Sequence, residues 1–306
     1  MALVQSCFIA IPPGRQPGFD HADVYQPSAA EAARLHVAHT GADCIDVLDC
    51  TTNSYLHALP ELPGVAGVLI DSEQDLLFSS DRGCARVSIF RCSDEALLGQ
   101  VSVGQRPNGL AYDPIRRRLY VFNIGDPPGQ NCTASVVDLD AMQVVRTIAL
   151  PGRPRWAVYD AATDQVFANI QQPAHIAVLD ANTMELTRAI SVPAAGPHGL
   201  AISDGRLFCA ADGGEFVVLH RETGAVQGVV ELSGEPDVIM HDRTLARLYI
   251  AVGDPGVVHV VDEHRLLMLE TVPTETGAHT IGWNPGARTL YAFLPSSEGA
   301  AVFVDQ

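Results

Sequence analysis

The sequence predicts an all-β protein, a seven-bladed β-propeller with four-stranded antiparallel blades. Three observations predict it. A strand–turn–strand unit recurs seven times. The copies repeat about every 40 to 45 residues, the period of a propeller blade. The last copy lacks an outer strand, and the N-terminus offers one with nothing else to pair against.

The clearest copy is QRPNGLAYDPIRRRLYVFN, Gln105 to Asn123. A Pro-containing turn enters a short apolar strand, Gly109 to Tyr112, which breaks at Asp113-Pro114. A second strand, Arg118 to Phe122, alternates and is rich in aromatic and β-branched residues. The unit returns as PRWAVYDAATDQVFAN from Pro154, PHGLAISDGRLFCAA from Pro197, PDVIMHDRTLARLYIAV from Pro236 and AHTIGWNPGARTLYAFL from Ala278. Two divergent copies lie upstream, DHADVYQPSAAEAARLHVAH from Asp20 and VAGVLIDSEQDLLFSS from Val65. A third and a fourth strand follow each pair, as in TASVVDLD and QVVRTIAL, joined by turns carrying Asp, Asn or Gly. After Thr289 to Leu294 the seventh copy has only one more strand, Ala300 to Val304. Leu3 to Ile11 has strand character and closes that blade, so residues 1–11 are the closing strand of one domain spanning 1–306.

The formal charge of −17 argues against nucleic acid and anionic membrane surfaces as partners, because both need a basic patch. No stretch approaches the ~18 apolar residues of a membrane span. MALVQSCFIAIPPG has no basic n-region and reads as a strand rather than a signal peptide. Seven cysteines without a CxxC pair fit reduced thiols in a cytoplasmic protein, and Cys209, mid-strand, reads as a small core residue.

At PNGLAYDP…RRLYVFN the chain resembles the YVTN-repeat, or YncE-like, propellers. RRLYVFN matches the "LYVTN" type of strand, and ARLYIAV at Ala246 and RTLYAFL at Arg288 are weaker copies. The resemblance covers the whole chain at low specificity and implies a seven-bladed propeller. It implies little about function, because that family mixes binding proteins with unrelated enzymes. No catalytic residue carries over by motif.

Each blade's first strand lines the central channel. Aligned on the residue five before Asp113, the copies present His21, Ala66, Asn108, Arg155, His198, Asp237 and His279 at one mouth. Histidine is 11 of 306 residues, yet it fills three of these seven places. Blades five, six, seven and one are consecutive once the ring closes, so His198, Asp237, His279 and His21 form an unbroken arc. Three imidazoles and a carboxylate suit a divalent transition metal, zinc best, with an open position for water or substrate. Asp237 is a fourth ligand or a general base. Arg155 can clamp a carboxylate or phosphate, or instead pair with Asp237 or Glu235. His39, at the end of the second strand of blade one, is a further ligand, a proton shuttle or a surface residue. Asp20 or Asp23 can accept the other N–H of His21. His36 falls on the opposite face from His39. His57, His220, His241, His259 and His264 read as surface or structural, and Trp156 and Trp283 as packing between blades. The loop GDPPGQN from Gly125 can rim the site.

These residues suggest a metal-dependent lyase or hydrolase acting on a small anionic substrate. The alternative is a non-catalytic propeller that binds a ligand or a protein.

Overall fold

The computed structural model describes residues 3–28 and 31–306. Positions 1 and 2 of the expected closing strand, and 29 and 30 of the first copy, lie outside the described residues. The described chain forms seven four-stranded antiparallel sheets. Blade three, as the reference, comprises Pro107–Asp113, Arg118–Asn123, Thr133–Asp138 and Gln143–Ala149, each paired with the next. Blade seven is built from Thr280–Asn284, Thr289–Leu294, Gly299–Asp305 and then Leu3–Ala10, which pairs antiparallel with Gly299–Asp305. The first strand of each blade packs beside the next, and that of blade seven packs beside that of blade one. Gly299–Asp305 is thereby paired on both sides.

The alternation of the second and third strands explains how the blades stack. Their side chains are buried on both faces, as in RLYVFN and TASVVD, whereas the fourth strands are half exposed. Seven apolar clusters result, one between each pair of neighbouring blades. Tyr120, Phe167, Phe208, Tyr249 and Tyr291 are fully buried there. The Asp that closes most first strands shapes the turn after it. Asp113 Oδ1 accepts the Ile115 N–H at 2.9 Å, and Asp242 Oδ1 accepts the Thr244 N–H at 2.7 Å.

One irregularity positions the site. In blades two to six the ladder between first and second strands slips early in the first strand, for example between Pro107 and Leu110 and between Pro197 and Leu200. The two residues in each gap include the ring residue, and a bulge of this kind re-aims side chains. The second of the two is Gly67, Gly109 and Gly199 in blades two, three and five. A Cβ on these would meet the carbonyl oxygen of the next blade's ring residue at 2.4, 2.2 and 2.2 Å. Blade four carries Trp156 at this place instead.

Candidate functional site

The incoming loops and first strands bring Arg155, His198, Asp237 and His279 into one polar cavity of about 390 Å³, together with Asp212, Glu235 and Asp254. His198 is its centre. Nδ1 lies 2.8 Å from Asp212 Oδ1 and Nε2 lies 3.0 Å from Asp237 Oδ1. Arg155 Nη1 is 3.2 Å from the same Nε2. Burial opposes a charge on His198, but the Asp237 charge and the bonds to both carboxylates push its pKa up to about 9. Burial would raise the carboxyls of Asp237 and Asp212. The neighbouring imidazolium outweighs this and holds both below the usual range. Asn169 fixes the backbone beneath, its Nδ2 donating to the carbonyls of His198 and Gly199 at 3.0 and 2.9 Å.

Arg155 therefore pairs with Asp212, at 3.6 Å, and not with Asp237 or Glu235. It also has company that the single-position alignment missed. Arg153 feels the like charges of Arg155, Arg82 and Arg106. After burial, the first of these is the largest cause of a guanidinium pKa below its ordinary value. The Nε atoms of Arg82, Arg153 and Arg155 are buried without a hydrogen-bond partner. Arg106 and Arg153 stand two residues before the ring residue in adjacent blades, and Arg82 and Asp212 stand one residue past the second strand in theirs. Aligning those two further positions would have found all four. The mouth is thus polarised, with arginines on blades two to four and the carboxylates Asp212, Glu235, Asp237 and Asp254 on blades five and six, while Asp20 of blade one pairs with Arg82 at 3.0 Å.

His21, in blade one, is buried and stacks on Trp156, ring centroids 4.0 Å apart and planes at 19°. Its Nε2 lies 3.4 Å from Asp20 Oδ1, and burial lowers its pKa. Asp23 turns away to accept the N–H groups of Val24 and Ile70, both at 2.8 Å, and burial raises its pKa to about 6. His279 lines the cavity, with Nδ1 2.8 Å from its own Gly277 carbonyl. Ala66 is buried, and Asn108 accepts from Arg82. Trp156 crosses the lumen, its Nε1 donating to Asp237 Oδ1 at 3.4 Å. Trp283 packs between blades on Tyr249, as expected.

The ring donors are gathered by ion pairs. Among the described residues, the His/Cys/Asp/Glu group whose donor atoms all lie within 4.8 Å of one another is His39, Cys44 and Asp46. His39 is buried, 3% exposed, which corrects its reading as a surface histidine. Its Nδ1 lies 2.7 Å from Asp46 Oδ2, and Cys44 Sγ reaches Asp46 Oδ1 at 3.7 Å. His39 and Cys44 are cross-strand partners, and Asp46 is two residues on, hence on the same face as Cys44. Phe19 packs on the imidazole at 4.5 Å, and Gly14 covers its Nε2, where a Cβ would come within 2.9 Å. This group can bind a metal. Burial, then Asp46, pushes the Cys44 thiol up to about 12.

Among the other histidines, His241 departs from expectation and His259 agrees with it. His241 lines a second cavity, with Nε2 2.9 Å from Glu263, and is not a surface residue. His36 is fully buried, with Nε2 4.0 Å from Glu95 Oε1 and no hydrogen bond to either ring nitrogen, and is pushed down to about 3 by burial first and Arg34 second. His259 is structural, between Ser233 and Thr271. All seven cysteines are free, and Cys209 is a core residue.

No protein-family model matches the chain, and no curated protein does. Solved structures do. A chain of Kuenenia stuttgartiensis hydrazine synthase superposes with a TM-score of 0.81 at 15% identity, covering 96% of this chain and 97% of that one. A chain of a mitotic checkpoint complex superposes with a TM-score of 0.82 at 14% identity, covering 99% and 92%. At such identities the likeness shows the fold alone, a seven-bladed propeller. Among the described residues no helix is long and apolar enough to cross a membrane.

Proposed function

We propose that the channel mouth binds a small organic anion and that His198 donates a proton to it. The observation that carries this reading is the Asp212–His198–Asp237 cluster facing four arginines. Arg82 pairs with Asp20 at 3.0 Å and Arg155 with Asp212 at 3.6 Å, but Arg153 is held among like charges at a cost in repulsion and desolvation, which a carboxylate or phosphate beside it offsets with charge-assisted hydrogen bonds. His198 holds a proton at neutral pH between two carboxylates. When Nε2 releases it, the lone pair left behind can accept from Arg155, 3.2 Å away. Such a group can act as a general acid once its Nε2–H turns from Asp237 to the substrate, and Arg155 then satisfies the base left behind. Lyase-type elimination and hydrolysis both require a donor to the leaving group. The metal-centred version, with His21, His198 and His279 as ligands to zinc, requires His198 to surrender Asp237. The YVTN-like strand signature and the fold neighbours leave the chemistry open, since one neighbour's title names an enzyme and the other a complex.

Calorimetric titration with malonate and with inorganic phosphate tests the reading. Wild-type protein takes up one dianion, and Arg153→Ala weakens it by about tenfold or more, the loss of one charge-assisted contact. Equal affinity in Arg153→Ala contradicts the proposal.

A second reading rests on His39, Cys44 and Asp46, whose nitrogen, thiol and carboxylate donors suit zinc. Binding there requires the Cys44 proton to leave, so uptake should release protons and rise with pH. Metal analysis after dialysis against zinc should find about one equivalent, and Cys44→Ser should lose most of it. Full retention in Cys44→Ser removes this reading.

A further inference from the structure

The lumen is divided in two by the Trp156–His21 stack. Beyond it lies a second cavity of about 520 Å³, on the side away from Arg155, His198 and Asp237. Its walls are Val68, Leu110, Ala157, Leu200 and Ile239, one strand position shared by blades two to six, two residues past the ring residue in each. It reaches the ends of the first strands, where Asp71, Pro114, Ala161 and Arg243 stand at or just past the turns. It therefore opens on the face opposite the polar mouth. These five side chains are themselves buried, and the cavity they bound is apolar with polar groups only at its ends, a lining that favours an apolar ligand over water. Its volume is in the ordinary range of small-molecule sites, which are apolar with a few placed polar groups.

The rim tells which polar group fits. Arg243 is exposed, and its guanidinium makes one hydrogen bond, to the Ile202 carbonyl at 3.1 Å. The other charged groups of the rim also make contacts of their own. Asp71 accepts the Gln74 N–H of its own turn at 2.9 Å, and His241 is held by Glu263 at 2.9 Å. Arg243 is the exposed guanidinium that the rim offers to a carboxylate.

We infer that this apolar funnel is a second ligand site, which takes an alkyl carboxylate with its chain against Trp156 and its carboxylate at Arg243. The stem enters past Ile202, and the indole forms the floor. Trp156 is one of only two tryptophans, so it reports on the site once Trp283 is replaced. Trp283 Nε1 is buried without a partner, so Trp283→Phe removes no hydrogen bond.

The experiment uses the full chain carrying Trp283→Phe, with decanoate and decylammonium as probes kept below their micelle concentrations. Decanoate should shift the Trp156 emission with one saturable site, and decylammonium should bind about tenfold or more weakly. Calorimetry on otherwise wild-type protein should show decanoate weakened about tenfold by Arg243→Ala and abolished by Ile202→Trp, which fills the entrance. Melting by circular dichroism confirms that both variants fold. No response of Trp156 to millimolar decanoate overturns the inference. So does unchanged affinity in folded Ile202→Trp, which would put the probe elsewhere. Equal binding of decanoate and decylammonium overturns the assignment of a carboxylate.

Discussion

A histidine between two carboxylates makes stability depend on pH in a defined direction. The pKa of His198 in the folded protein, about 9, lies above its ordinary 6.5. The stabilisation is therefore fully present below 6.5 and is lost as pH rises through 9. One pKa unit corresponds to about 1.4 kcal/mol, so the total is a few kcal/mol at most. Denaturant unfolding between pH 6.5 and 8.5 should show wild-type stability falling with pH and His198→Gln without that component. The imidazole resonance of His198 should titrate near 9 and move down in Asp237→Asn. Titration near 6.5 contradicts the general-acid assignment. Residue-scale reading of the sequence reached His198, Asp237 and Arg155 because one repeat position was compared across blades. It missed Asp212, Arg153, Arg82 and Arg106 because they sit at two other positions of the same repeat. It also misplaced His39, because its burial comes from Phe19 and Gly14, twenty and more residues earlier in the chain.

In blades two to six the ladder between the first and second strands is interrupted once, and that interruption is where the site residues concentrate. The bulge lets Arg155, His198 and Asp237 face the axis, and the glycine beside it lets first strands approach closely. Gly109→Ala places a Cβ 2.2 Å from the Arg155 carbonyl oxygen, on backbone that cannot swing aside. It should cost about 1–3 kcal/mol by overpacking and shift Arg155, which denaturant unfolding and malonate titration read separately. Unchanged stability would mean that the first strands do not touch there. The strands themselves were legible in the sequence, since period-two alternation and the Asp-Pro break mark Pro107–Asp113 and Arg118–Asn123 to within two residues. The bulge was not read, although the glycine that recurs at Gly67, Gly109 and Gly199 is its signal in the sequence.

The ring closes because seven copies plus one N-terminal strand make seven complete sheets, a count available from the sequence alone. What the count could not give is the division of the lumen. One large side chain at a place that is glycine in three blades separates a charged mouth from an apolar funnel. The charge asymmetry around the mouth also belongs to the whole molecule, since arginines and carboxylates distant in sequence meet only when the ring forms. A crystal structure of the protein grown with malonate is the most direct measurement of the central claim. The account predicts a dianion at the mouth, hydrogen-bonded to Arg153 and Arg155 and facing His198, with His198 still between Asp212 and Asp237. A mouth without malonate, or His198 turned from Asp237 to join His21 and His279 around a metal ion, would contradict it.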